Sequence, residues 1–354
     1  MSVIGAATDI GTMATVLANA QQTSRTIGTL TAQSSSGLIA ADYAGLGTQA
    51  GAALNLTSEL AANTADQANA TRAATQCTLA QTALGRIQSL VASFSSQLLG
   101  ASVSTTAGLS TLAATAASTL QQVAGLLNTK SGDTYIFAGQ DSRNPPVPSG
   151  GNITGSAFFA AVQAAVAGLA TSGPAVVQSQ VLAAAAPGGT SPFSATLEAT
   201  NQPAVADLGG GQLVQLGVLA DQNSDTVSTG IGTTSTGSYT RDVLASLATL
   251  ACLGNTAPGD PQVQALLSST QTSLAGADSA LNTDIGALGG RQQVISQAQA
   301  DLSATATALT TQLGAIQDCD TAKVATQLSA AENQLQASYK IIAGLEQLSL
   351  AKFL

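Results

Sequence analysis

Histidine and tryptophan are absent from this 354-residue chain, and aromatic side chains make up only 3% of it. Each shortage removes a class of function. Without histidine there is no Ser–His or Cys–His nucleophile pair and no His-containing zinc site. The phosphate loop G-x-x-x-x-G-K-[ST] is missing as well, because Lys130-Ser131 lacks the preceding glycine. Gly230-x-Gly232 has the wrong spacing for a dinucleotide loop and sits in a polar stretch. Asp318-Cys319-Asp320 suits a helix start, where carboxylates satisfy free N–H groups, better than it suits a metal pair. Cys77, Cys252 and Cys319 have no metal-like or CxxC spacing and fall in helical patterns, so they read as small, buried apolar residues. The reading is of a non-enzymatic chain with no cofactor and no metal.

Charge is also scarce, at 8% of residues against roughly 25% in ordinary soluble proteins. The surface is therefore largely Ser, Thr, Gln, Asn and Ala. That is a poor solubility design for a free protein and an acceptable one for a subunit flanked by other subunits. The net charge of −9 argues against nucleic acid, and the ten Lys and Arg form no cluster. No basic region opens the chain, whose first cation is Arg25, so no cleaved leader is expected. The longest apolar window, 157–170, is too short to span a bilayer and contains Gln163, so no membrane insertion is expected.

What is abundant is helical periodicity at both termini. Val324, Leu328, Ala331, Leu335, Ile342, Leu345 and Ser349 recur mostly three or four apart, which places them on one helix face. The last turns, LEQLSLAKFL, are apolar on more than one side, with Leu345, Leu348, Leu350, Phe353 and Leu354. At the other terminus Ile10, Met13, Leu17, Ala20, Ser24, Ile27 and Thr31 follow a coiled-coil a/d spacing. Neither helix is secure alone in water. The two are expected to pair, each buried Leu or Ile contributing roughly 1.5–3 kcal/mol, and to leave apolar surface for neighbouring copies.

Between them the chain divides into segments. Residues 1–48 are a helix and connector, and 49–133 carry helix again, with breaks at 31–47 and 100–110. Fifty residues of helix reach about 75 Å. Most of the nine prolines and several glycine runs fall in 134–240, read as a small α+β domain. There, Tyr135–Phe137, 192–200 and 212–220 are expected as strands, 156–170 as helix, and 226–238 as an exposed loop. Residues 241–317 form the return helices, with Gly289-Gly290 as a weak point, and 318–354 the last helix. The fold expected is mainly α: an elongated antiparallel helical rod built from the two terminal segments, with the α+β domain inserted at its tip.

Three passages carry a family resemblance. The DCD of 318–320 followed by ENQLQASYKIIAGLEQLSL and the Phe353-Leu354 ending resembles the C-terminus of the bacterial flagellin superfamily. LTAQSSSGLIAADYAGLG (30–47) is similar to the family's Leu-Ser-(Ser/Thr)-Gly segment, and SGDTYIFAGQDSRNPPV (131–147) to a passage of its hook–filament junction branch, hook-associated protein 3. The resemblance covers about 1–147 and 240–354. It implies a structural subunit of the flagellum, most like the junction type, with a filament flagellin as the alternative and a type III-secreted adhesin or effector as the second. It implies self-assembly through Ile10, Met13, Leu17, Ile27, Val324, Leu328, Leu335, Ile342, Leu345, Leu348, Leu350 and Phe353. The implied partners are copies of itself, other axial proteins (hook-associated proteins and flagellin) and an export chaperone on the C-terminal helix. The implied address is extracellular, reached without a cleaved signal peptide.

Overall fold

The computed structural model describes residues 3–100, 103–200, 202–228 and 232–351, without the side chains of 3–12 and 345–351. In chain order the helices are α1 (Val3–Ser36), α2 (Ala50–Gly100), α3 (Thr106–Leu127), α4 (Ala157–Ala167), α5 (Leu169–Ser172), α6 (Pro174–Ala185), α7 (Ala195–Thr200), α8 (Tyr239–Cys252), α9 (Pro261–Gln317) and α10 (Thr321–Ala351). Two small hairpins accompany them, β1 (Lys130–Ser131) with β2 (Thr134–Tyr135) and β3 (Val205–Asp207) with β4 (Leu213–Gln215). The mainly helical class is as the periodicity implies. Contacts divide the chain into a terminal unit, Met1–Thr64 with Ser303–Leu354, and a central unit, Ala65–Leu302.

In the terminal unit α1 and α10 pack together, with Leu30, Val324 and Ala331 buried between them. They run antiparallel, and a bridge between Leu38 and Asp318 fixes their register. Ile39 N–H donates to Gln317 O at 2.7 Å and Cys319 N–H to Gly37 O at 2.9 Å. Gly37 takes φ +72°, a conformation that disfavours side chains, and so stops α1 where the bridge begins. The helix thus runs to Ser36, six residues beyond its expected end at residue 30.

In the central unit α2 and α9 lie antiparallel. Their buried residues follow a coiled-coil rhythm: Ala70, Ala73, Cys77, Ala80, Leu84, Ile87, Val91, Phe94 and Leu98 on α2. Their flanks are joined by amides and hydroxyls instead of ion pairs: Gln67 to Leu302 O, Gln299 to Thr71, Gln292 to Thr78, and Gln88 to Asn282. Gly289-Gly290 does not interrupt α9, because the helix is held by packing on both sides of it, through Leu288 and Ile295.

The buried helix α8 packs against α3, α4 and α6. The Tyr135–Phe137 passage is strand only to Tyr135, after which the chain turns inward and buries Phe137. Gly139 has φ +57°, and a Cβ there would lie 2.3 Å from Gln202 O, so this passage requires glycine. Asn128, capping α3, grips Val147 at both ends, accepting from its N–H at 3.0 Å and donating to its O at 2.8 Å. Residues 192–200 are a correction: Ser194 Oγ caps Leu197 N–H and starts helix α7 instead of a strand. Of 212–220 only 213–215 is strand, the remainder being drawn inward, with Ala220 N–H donating to Phe137 O. The stretch 226–238 is not simply exposed, since Ser228, Ser235 and Ser238 are buried.

Candidate assembly surface

The seam of α10 lies where its spacing predicts. Val324 and Ala331 are buried, and Leu328, Leu335 and Ile342 are half-buried. Asp320 caps the helix, its Oδ1 accepting from Ala322 N–H and Lys323 N–H at 3.0 Å each. The α1 seam is displaced from the expected one. Ala20 and Ile27 belong to both, but Thr23 and Leu30 are buried in place of Ser24 and Thr31. A threonine is tolerated there because its hydroxyl donates back to Asn19 O at 2.9 Å.

That displacement leaves Leu17 off the seam and 50% exposed, while Met13, which continues the seam three residues before Val16, is 36% exposed. On α10, Tyr339 and Ile341 are likewise exposed. The side chains of Ile10, Leu345, Leu348 and Leu350, and all of Phe353, lie outside the described residues. The structure therefore brings Ile27, Val324 and Leu328 together within one chain and leaves Met13 and Leu17 partly exposed.

The central unit carries a second cluster, which sequence reasoning missed. Arg241, near the start of α8, is buried. Its Nε donates to Asp221 O at 2.8 Å, Nη1 to Ala185 O at 2.6 Å and Ser191 Oγ at 3.0 Å, and Nη2 to Glu198 Oε1 at 2.8 Å. The guanidinium lies 4.9 Å from the Phe193 ring centroid. Asp242 accepts from Thr236 N–H at 2.7 Å, from the Thr236 hydroxyl and from Ser235. Asp284 accepts from Ser224 N–H at 2.9 Å and Asp225 N–H at 3.0 Å, and Arg291 pairs with Asp225 at 2.8 Å. Burial raises the carboxyls of Asp221, Asp242 and Asp284 above the ordinary aspartate value, against the opposing effect of these donors. A charged residue two positions into an amphipathic helix was the available signal.

The chemistry of this cluster is that of a clamp. Asp242 and Asp284 hold the backbone of the 221–238 segment, and Glu198 ties α7 to Arg241 and Ser191. Burial pushes the Cys252 thiol up to about 11, which makes it a poor nucleophile at neutral pH. Among the described residues no group of three or more His, Cys, Asp or Glu is placed to hold a metal ion. Nor is any described helix long and apolar enough to cross a membrane.

Two comparisons define the class of protein to which this geometry is similar. Residues 266–354 match the family model of the bacterial flagellin C-terminal helical region, which takes in nearly all of α9 and all of α10. The resemblance read from the C-terminal passage is therefore supported by an independent match to the same residues. More particularly, the fold is similar to a solved structure described as a "putative flagellar hook-associated protein from Vibrio parahaemolyticus", with a TM-score of 0.52 and 13% identity over 76% of this chain and 97% of that one. No curated protein matches the chain. The chain is thus similar to flagellins in its C-terminal helical region and to a flagellar hook-associated protein in its fold.

Proposed function

We propose that the protein is a structural subunit of the bacterial flagellum that joins copies of itself and other axial proteins through its terminal helices, at the junction between hook and filament. The observation that carries this reading is the leftover apolar surface on α1. Met13 and Leu17 remain exposed after α1 and α10 have paired, on a chain that has few charges with which to keep such surface in water. In the assembly Ile27, Val324, Leu328, Leu335 and Ile342 hold the helix pair together. Ile10, Met13, Leu17, Leu345, Leu348, Leu350 and Phe353 face neighbours. Segments 1–48 and 318–354 form the inner layer, 49–133 and 241–317 the surrounding helices, and 134–240 the part turned to solvent. The subunit acts outside the cell and is met on its last helix by an export chaperone.

The junction role draws on the 131–147 passage and on the hook-associated description of the similar structure. A major filament flagellin is the second reading, favoured by the Ser/Thr/Ala-rich, nearly charge-free body. Negative-stain microscopy of the purified protein with isolated hook–basal fragments separates them. A short collar without elongation supports the junction, whereas long tubes grown from the fragments support the filament. A protein that neither binds fragments nor polymerises contradicts both.

A further inference from the structure

α2 and α3 leave between them an open groove of about 480 Å³, lined by Leu90 and Leu126 and by Gly125, which contributes no side chain. A Cβ placed on Gly125 meets nothing within 4 Å, so the groove is unfilled there. Its one charged lining residue is Arg86, which is exposed and forms none of the ion pairs found among the described residues.

The β3–β4 hairpin has the complementary surface. Val214 and Ala206 turn inward onto Ala70, Ala73, Cys77 and Ile295. The alternate residues turn outward, with Val205 53% and Leu213 67% exposed, and Asp207 paired opposite Leu213. One carboxylate oxygen of Asp207 accepts from Gly209 N–H at 2.9 Å, which shapes the turn. The hairpin thus presents two apolar side chains beside one anion, and the groove two leucines beside one cation, with Ser89, Ser93 and Gln122 completing its lining. In a chain with 19 acidic and 10 basic residues, an uncommitted cation at the groove singles out its match.

A copy is poorly placed to fill its own groove. The hairpin rests on α2 at residues 70–77 and the groove opens at 86–93. Sixteen residues of helix separate the two by about 24 Å along the axis and by roughly half a turn around it. Two different patches on opposite sides of one helix make a head-to-tail contact, which leaves a free hairpin at one end of an array and a free groove at the other.

We infer that the hairpin of one copy seats in the α2–α3 groove of the next, with Val205 and Leu213 against Leu90 and Leu126 and with Asp207 facing Arg86. This rests on the self-assembly proposed above and names a contact of the central unit within it. Two side chains and one ion pair bury less than the roughly 1,000 Å² that sustains a specific pair alone. The contact therefore adds to the terminal-helix association and is weak in isolation.

The test puts the photo-crosslinking residue p-benzoylphenylalanine at position 213 of the full chain, irradiates it at high protein concentration, and maps the adducts by mass spectrometry. Expected are adducts between copies at residues 86–93 or 122–126. Their yield falls about tenfold in Arg86→Glu, where like charges meet, and in Gly125→Leu, which fills the groove. It is retained in Arg86→Lys. Both disruptive variants keep the monomer's melting temperature, since Arg86 is exposed and leucine favours helix over glycine. Absence of adducts between copies, adducts elsewhere in the chain, or an undiminished yield in Gly125→Leu overturns the inference. Incorporation onto hook–basal fragments is scored on the same samples. Incorporation without these adducts defeats the groove contact alone, and these adducts without incorporation defeat the flagellar reading alone.

Discussion

Asp242 carries three hydrogen bonds in a wholly buried position, which makes it the sharpest single-residue probe of the central unit. Asp242→Ala strands the Thr236 N–H and two hydroxyls without an acceptor. At about 1–3 kcal/mol for each buried group left unsatisfied, with partial relaxation, the expected loss is about 2–4 kcal/mol of unfolding free energy. Asp242→Asn keeps an acceptor and costs less. The pH dependence has a definite sign. Burial raises the Asp242 carboxyl above 3.8 in the folded chain, so the folded state holds the proton more tightly than the unfolded one. The stability linked to this group is complete below pH 3.8 and is lost as pH rises through the raised value. Denaturant melts at a series of pH values from about 3 to 7 check this: the wild type weakens across that window, and the Asn variant weakens less.

At the scale of the element, α10 depends on both its cap and its seam. Asp320 serves two of the N–H groups that the first turn of a helix leaves free. Asp320→Ala is expected to cost about 1 kcal/mol of helix stability, seen as faster amide exchange at Ala322 and Lys323 while the amides of α8 keep their protection. α1 shows how a seam departs from a simple spacing rule. Ala20 and Ile27 fit both the expected and the observed faces, and the small hydroxyl of Thr23 is accommodated because α1 itself satisfies it. The bridge at Leu38 and Asp318 fixes the helix pair in register, so the face of α1 turned to α10 is set from its C-terminal end. Under that constraint Leu17 turns away and Met13 stays partly exposed.

For the whole molecule, the prediction concerns those two residues. They are exposed in the free chain, so Met13→Gln with Leu17→Gln changes monomer stability by at most about 0.5 kcal/mol per site and leaves the far-ultraviolet circular dichroism intact. In the proposed assembly the same pair removes buried apolar contacts, and incorporation onto hook–basal fragments is expected to fail. Full incorporation of the double variant would show that assembly uses another face. The sparse charge also bears on behaviour as a whole. The α2–α9 flanks are joined by Gln, Asn and Thr, whose hydrogen bonds are screened by salt far less than exposed ion pairs would be.

The sequence by itself determined the helical class, the α10 seam, the cap at Asp320 and the lack of histidine, because periodicity, capping and residue inventory are local properties. The 131–147 passage was legible as a motif, though the need for Gly139 became plain only when Gln202 and Leu219 were found against it. Tertiary structure alone decided two things, and a third turned on a local cap. Residues 192–200 became helix because Ser194 caps them in a context that local alternation does not register. The polar stretch 221–238 acquired buried serines because Arg241, Asp242 and Asp284, up to some sixty residues away, hold its backbone. The outward face of α1 was set by which of two nearly equivalent stripes met α10. The last two rest on contacts between elements distant in the chain, such as Asp284 with Ser224 and α1 with α10, which no short-range pattern carries.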